Sequence, residues 1–215
     1  MNNKLSTTYL ILIIAPFLLG CGGPVKEENK NNAPAGSISL HVEDEKYVAI
    51  DTKESVVAWR GSSIKGAHTG YVYISKGELM IENGQLVGGT TEVDMSTIEG
   101  DDHRSDNNLI NHLKNADFFD VEKFSFSTIA ITRVASINDE DKEITGNLTI
   151  KGITHPVSFP AKVEVKNGIV NANGKLVIDR TKWDVRYKSG KFFDNLKDQA
   201  ISDDIEFDIK IVTKK

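Results

Sequence analysis

Apolar and polar positions alternate most strictly near residue 160. Val157, Phe159, Ala161, Val163 and Val165 hold one parity, and Ser158, Pro160, Lys162, Glu164 and Lys166 hold the other. A period of two is that of a strand with one face in a core and one in water. Leu148 and Ile150 repeat the alternation against Asn147, Thr149 and Lys151, and residues 152–156 separate the two runs. The pattern predicts a β-hairpin with a five-residue loop. Pro160 lies on the polar parity and has no N–H to give a ladder, so it predicts a bulge or a gap in pairing.

Further strand-like runs cover residues 47–51, 55–60, 69–75, 78–82, 85–94, 124–133, 143–151, 157–166, 169–179 and 205–212. Asn83-Gly84 and Asn167-Gly168 join pairs of them, and Asn-Gly suits a type I′ hairpin turn because both central residues need positive φ. The parity slips between 124 and 133: Phe124 and Phe126 fall on one face, Ile129 and Ile131 on the other. Either a bulge near Ser127 or burial of both faces would account for it. Short strands at regular spacing with hairpin turns favour an all-β meander that closes on itself.

Two stretches interrupt the strands. Residues 101–120 predict a helix with Leu109, Ile110 and Leu113 on one face and Ser105 or Asp106 as N-cap. Residues 181–204 form an irregular insert carrying Trp183, Tyr187, Phe192 and Phe193, and inserts of this length are functional or cover a barrel end.

The N-terminal part changes the picture. An apolar run over residues 10–19 has the length of a secretory leader and is short for a membrane span. Leu18-Leu19-Gly20-Cys21 follows it and resembles a bacterial lipobox, which makes Cys21 the expected lipid anchor and N-terminal acyl chains the expected membrane attachment. The stretch beyond is rich in Gly, Pro, Asn, Lys and Glu and lacks apolar periodicity, as a tether does. The domain reading is therefore a signal peptide at 1–20, a disordered tether at 21–43 and a β-barrel domain at 44–215. Gly22 after the cysteine resembles lipoproteins bound for the outer membrane, and Lys26-Glu27-Glu28 resembles a surface-display signal of some Gram-negative groups. The expected location is the bacterial cell envelope, lipid-anchored at the outer membrane on its periplasmic face or the cell surface.

Charge and cysteine content narrow the function. The formal charge is -5, and removal of the leader, with one Lys and no acid, takes it to -6. An acidic chain without a basic run offers no footprint for nucleic acid. A single cysteine excludes a disulfide framework and a thiolate metal cluster.

Six motifs in order resemble the YceI-like family. They are Asp51 with residues 55–59 ending in Trp59, residues 66–70 around His68, residues 86–89 with 94–96, residues 117–124, residues 146–157, and residues 180–183 with Tyr187. The resemblance spans roughly residues 47–213. It implies a periplasmic or secreted antiparallel barrel, lipocalin-like in shape with about eight strands, that binds isoprenoid or other long-chain apolar molecules without a cofactor. Trp183-Asp184-Val185 departs from the family's more usual aromatic-glycine run, and residues 191–196 look local to this chain.

Candidate contacts follow from the strand faces and the aromatics. Trp59, Phe126, Phe159 and Trp183 are read as lining the interior, each equally as core packing or as a ligand contact, and Ala161 is the smallest residue on its apolar parity. Phe118 and Phe119, bracketed by Asp117 and Asp120, would stand at the barrel mouth, either lining a capped pocket or plugging the barrel end from a helix C-terminal turn. His68 lies between Gly66 and Gly70 and is read first as a structural hydrogen-bonder and second as a ligand contact. Tyr71 and Tyr187 complete the candidate set. His68, His103 and His112 lack metal-ligand spacing, so no metal is expected. No nucleophile elbow, P-loop or H-E-x-x-H occurs, which argues against an enzyme. The favoured function is storage or carriage of a long-chain apolar molecule such as a polyisoprenoid or fatty-acid derivative. The rivals are an envelope stress or interaction module with a side-chain-filled barrel, and more weakly a lipid-acting enzyme; a homodimer is left open.

Overall fold

A computed structural model describes residues 46–101 and 107–215. Nine strands and one α-helix are laid out in the order β1 Lys46–Ala49, β2 Val56–Ser63, β3 Gly66–Glu82, β4 Gln85–Gly100, α1 Asn107–Lys114, β5 Phe126–Ser136, β6 Asp141–Ile150, β7 Ile153–Lys166, β8 Ile169–Asp179 and β9 Ile201–Val212. Each strand from β2 to β9 pairs antiparallel with the next in sequence, and β2 also pairs with β9. The result is a closed eight-stranded up-and-down barrel. β1 is an appendage that pairs with the far half of β3 (Val48↔Leu79) while β2 pairs with its near half (Val57↔Val72). Closure leaves β2 to β9 without a continuous open edge, which is how such barrels avoid edge-to-edge association.

Turn chemistry sets the register. Asn83 and Gly84 have φ of 48° and 75°, and Asn167 and Gly168 have 54° and 77°, as two-residue type I′ turns demand. The hairpin between β6 and β7 differs from its expected form. Its loop is the two residues Lys151 and Gly152, at φ 49° and 72°, and Thr154, His155 and Pro156 belong to β7. Lysine takes the position that asparagine holds in the other two turns, which hid a third type I′ turn.

Pro160 marks a gap in pairing, not a bulge. It stands opposite Glu143 of β6 in unbroken register, while pairing of β7 with β8 begins only at Ala161↔Gly174. A proline at the last unpaired position costs no ladder bond to β8. The bulge of β5 lies between Ile131 and Arg133, not near Ser127. It switches the inward parity from Ser127, Ile129 and Ile131 to Val134, which packs against the core.

The helix is shorter than the 101–120 expectation: α1 ends at Lys114, and turns lead from there to β5. Leu113 is buried, with Leu109 and Ile110 packed around the same cluster, so the apolar face is as read. Ser105 and Asp106 lie outside the described residues. The connections 101–125 and 180–200 both leave from the barrel end where β4 and β8 finish. That end, the α1 end, carries its own small core of Val72, Met95, Ile98, Leu113, Phe118, Val121 and Val185. The main core lies along the inward faces of the barrel strands and extends from Ile50 and Val170 to Ile178 and Trp183.

Candidate functional site

Inward-facing side chains leave a cavity of about 200 Å³ along the barrel interior. Its wall draws on all eight barrel strands and the turn after α1 and is almost wholly aliphatic and aromatic. Thr91, Ser127, Arg180 and Ser202 contribute its polar side chains.

Five of the ten candidate contacts meet at this cavity: Trp59, Phe118, Phe119, Phe159 and Ala161. Trp59 is held from β2 by its indole N–H, which donates to the Tyr71 carbonyl at 3.3 Å. Phe159 spreads its ring over Gly174 on β8, where an added Cβ would stand 2.8 Å from the ring. Ala161 stands opposite the same Gly174 across the ladder. Phe118 and Phe119 sit in the turn after α1 with ring centroids 5.0 Å apart at 71°. Phe118 is buried and Phe119 partly so, and the edge-to-face pair forms the α1 end of the cavity.

The other five stand elsewhere. Phe126 is 49% exposed and shares the outer face with Asp94, its partner on β4. The sequence reading gave it the inward parity, but the register puts Ser127, opposite Val93, inside. Tyr71 lies between the inward residues Gly70 and Val72 and directs its hydroxyl outward to Asp101, a hydrogen bond that raises the phenol's pKa. Trp183 is buried in the wall and outside the cavity lining; its indole N–H donates to the Leu148 carbonyl at 3.1 Å. His155 stacks edge-on against it and donates from Nε2 to the Lys182 carbonyl at 3.0 Å. The turn Arg180–Trp183 thereby covers the stretch where β7 has left β8. Tyr187 packs beside His112, with ring centroids 4.4 Å apart, in the α1-end core. His68 is half-buried opposite Gly61 on β2.

His112 pairs with Asp117 at 3.0 Å, and His103 and Cys21 lie outside the described residues. Among the described residues no three His, Cys, Asp or Glu side chains converge as metal ligands.

None of the four polar cavity residues was among the candidates, and two of them, Arg180 and Ser127, had a signal in the sequence. Arg180 continues the inward parity of Leu176 and Ile178, and a cation on a core parity was the available signal. It is 1% exposed. Its guanidinium donates to the carbonyls of Ser202 at 2.9 Å, Val185 at 2.6 Å and Ile201 at 3.2 Å. Asp203 lies 3.6 Å away, and the Phe118 ring centroid 5.6 Å away. Burial pushes the Arg180 pKa down, while Asp203 and Asp179 push it back up. Lys191 joins the two acids, at 2.6 Å from Asp179 and 3.3 Å from Asp203, so the buried cation belongs to a balanced group of two positive and two negative charges. Ser127 was missed with the parity of β5. It would have been found by extending the Ile129–Ile131 face one step back.

Residues 48–213 match the YceI-like domain. A UPF0312 protein of Vibrio parahaemolyticus is 26% identical over 136 residues, 60% of this chain and 69% of that protein. One of Enterobacter sp. strain 638 is 48% identical over 52 residues, 24% of this chain and 27% of that protein. The match to the Enterobacter protein thus spans about a quarter of that relative's length. Among solved structures, Burkholderia cenocepacia BcnA superposes with a TM-score of 0.64 at 18% identity, over 77% of this chain and 99% of that one. A polyisoprenoid binding domain from Saccharophagus degradans, implicated in plant cell wall breakdown, gives 0.57 at 11% identity, over 78% and 97%. These likenesses establish the shared barrel. With the domain match extending from β1 to the end of β9, the chain belongs to the YceI-like family.

Proposed function

We propose that this protein binds a long-chain apolar molecule, such as a polyisoprenoid or a fatty-acid derivative, inside its barrel, as a carrier or store tethered to the bacterial envelope. The observation that supports it is the cavity: about 200 Å³ of interior space walled almost entirely by apolar side chains. An apolar cavity of ~150 Å³ in another protein stays dry and takes up benzene. Room of this kind argues against a barrel filled by its own side chains, the interaction-module reading. The binding role, with no part for an enzyme, also agrees with the family and with the polyisoprenoid-binding description of the Saccharophagus domain. Attachment through acyl chains on Cys21, at the outer membrane, completes the proposal and rests on the sequence motif alone.

Ala161→Trp is the test. The indole would project into the cavity beside Phe159 and Gly174. Lipid extracted from natively purified wild type and identified by mass spectrometry should disappear from the variant while the variant stays folded. Absence of any apolar molecule from the wild type, together with a loss of about 1–3 kcal/mol in the variant from overpacking, would favour the filled barrel.

A further inference from the structure

Ser127 is buried at 7% exposure on the inward face of β5 and lines the cavity. Its Oγ has no hydrogen-bond partner among the described residues. A buried hydroxyl left unpaired is unfavourable, and Ala or Val at this position would pack with its neighbours at no such penalty. Its place along the barrel is also informative. Ser127 is the second residue of β5, Arg180 follows the last residue of β8, and Ser202 is the second residue of β9, so three of the four polar side chains of the wall gather at the α1 end. Toward the other end the wall is Leu79, Leu86, Val163 and Ile211. The interior therefore has a polar end and an apolar end.

The charge at the polar end is already balanced. Arg180 gives three hydrogen bonds to backbone carbonyls and lies beside Asp203, and Lys191 bridges Asp203 to Asp179. An anionic head group brought here would add an uncompensated buried charge, which costs far more than burial of a neutral oxygen. A hydroxyl amid aliphatic side chains suits one neutral acceptor.

Building on the container reading, we infer that the bound molecule carries an uncharged oxygen, a carbonyl, ester or hydroxyl, hydrogen-bonded by Ser127 Oγ at the α1 end, with its hydrocarbon chain running toward the opposite end. The ligand class is thus a neutral oxygenated lipid. Neither a bare hydrocarbon nor a carboxylate matches this end as well.

Three probes of equal chain length test this on the full chain: decane, 2-decanone and decanoate, each titrated against wild type and Ser127→Ala and followed by calorimetry. Wild type should bind 2-decanone about 3–10-fold more tightly than decane, as one hydrogen bond to an otherwise unpaired group implies. In Ser127→Ala that preference should vanish and the melting temperature should not fall. Equal binding of decane and 2-decanone by wild type, or an undiminished preference in the variant, overturns the assignment and leaves the container reading intact. Tightest binding of decanoate overturns the uncharged class and makes Arg180 an anion site. Failure of all three to bind overturns the container reading and the assignment with it.

Discussion

Asp179 shows how a single side chain ties the insert to the barrel. Its carboxylate accepts from the Thr181 N–H at 3.0 Å, the Thr181 hydroxyl at 2.6 Å and Lys191 Nζ at 2.6 Å. Burial raises its pKa, but the hydrogen bonds from Lys191 and Thr181 and the lysine charge outweigh that and hold it at about 2, against an ordinary 3.8. The native state therefore takes up this proton at lower pH than the unfolded chain does. The stabilisation is complete above the unfolded value and is lost as pH falls through the folded one. Asp179→Asn should lower the melting temperature near neutral pH, and the gap from wild type should close between about pH 4 and pH 2. A gap that stays constant across that window would show that the carboxylate charge contributes nothing. Arg180 is the opposite case at the same scale: the inward parity of β8 announced its position, but only the fold shows the three carbonyls that make a buried guanidinium tolerable.

At the scale of elements, the hairpins depend on left-handed backbone at their turns. Gly168 has φ of 77° between β7 and β8, and a β-branched residue resists that conformation. Gly168→Val should destabilise the fold by roughly 1 kcal/mol or more, read as a lower denaturation midpoint with an unchanged m-value. The two Asn-Gly turns were legible because their chemistry is local. The Lys151-Gly152 turn was not, since lysine enters the left-handed region here under the constraint of two long paired strands. The same holds for β3, one strand of Gly66–Glu82 that the sequence presents as two runs. Its register against β4 shifts between Ile74 and Lys76, which moves the inward parity from Val72 and Ile74 to Leu79 and Ile81 and breaks the alternation without breaking the strand.

For the whole molecule, the proposed attachment through Cys21 can be tested apart from the barrel. If acyl chains on Cys21 carry the attachment, Cys21→Ser should leave a folded barrel with wild-type ligand content in the soluble fraction, because each buried acyl methylene contributes about 0.8 kcal/mol and no such term remains. Persistent sedimentation of that variant with membranes would assign the attachment to the barrel surface instead, where Ile64, Phe192 and Phe193 are exposed.

Strand alternation and Asn-Gly turns were enough, by themselves, to determine an all-β meander, because both are set by interactions within a few residues. Order along the chain accounts for pairing of each strand with the next, whereas closure needs the pairing of β2 with β9, which lie far apart in sequence. Of the ten candidates, the five that line the cavity are Trp59, Phe118, Phe119, Phe159 and Ala161, all apolar or aromatic. Tertiary structure alone decided which aromatics face the cavity. Phe126 and Trp183 carry the same sequence signal as Phe159, yet a bulge placed at Ile131–Arg133 puts Phe126 outside, and the gap that opens at Pro160 draws Trp183 into the wall. Facing is fixed by register across neighbouring strands, and register depends on bulges whose cost and position are settled only when all eight strands close together.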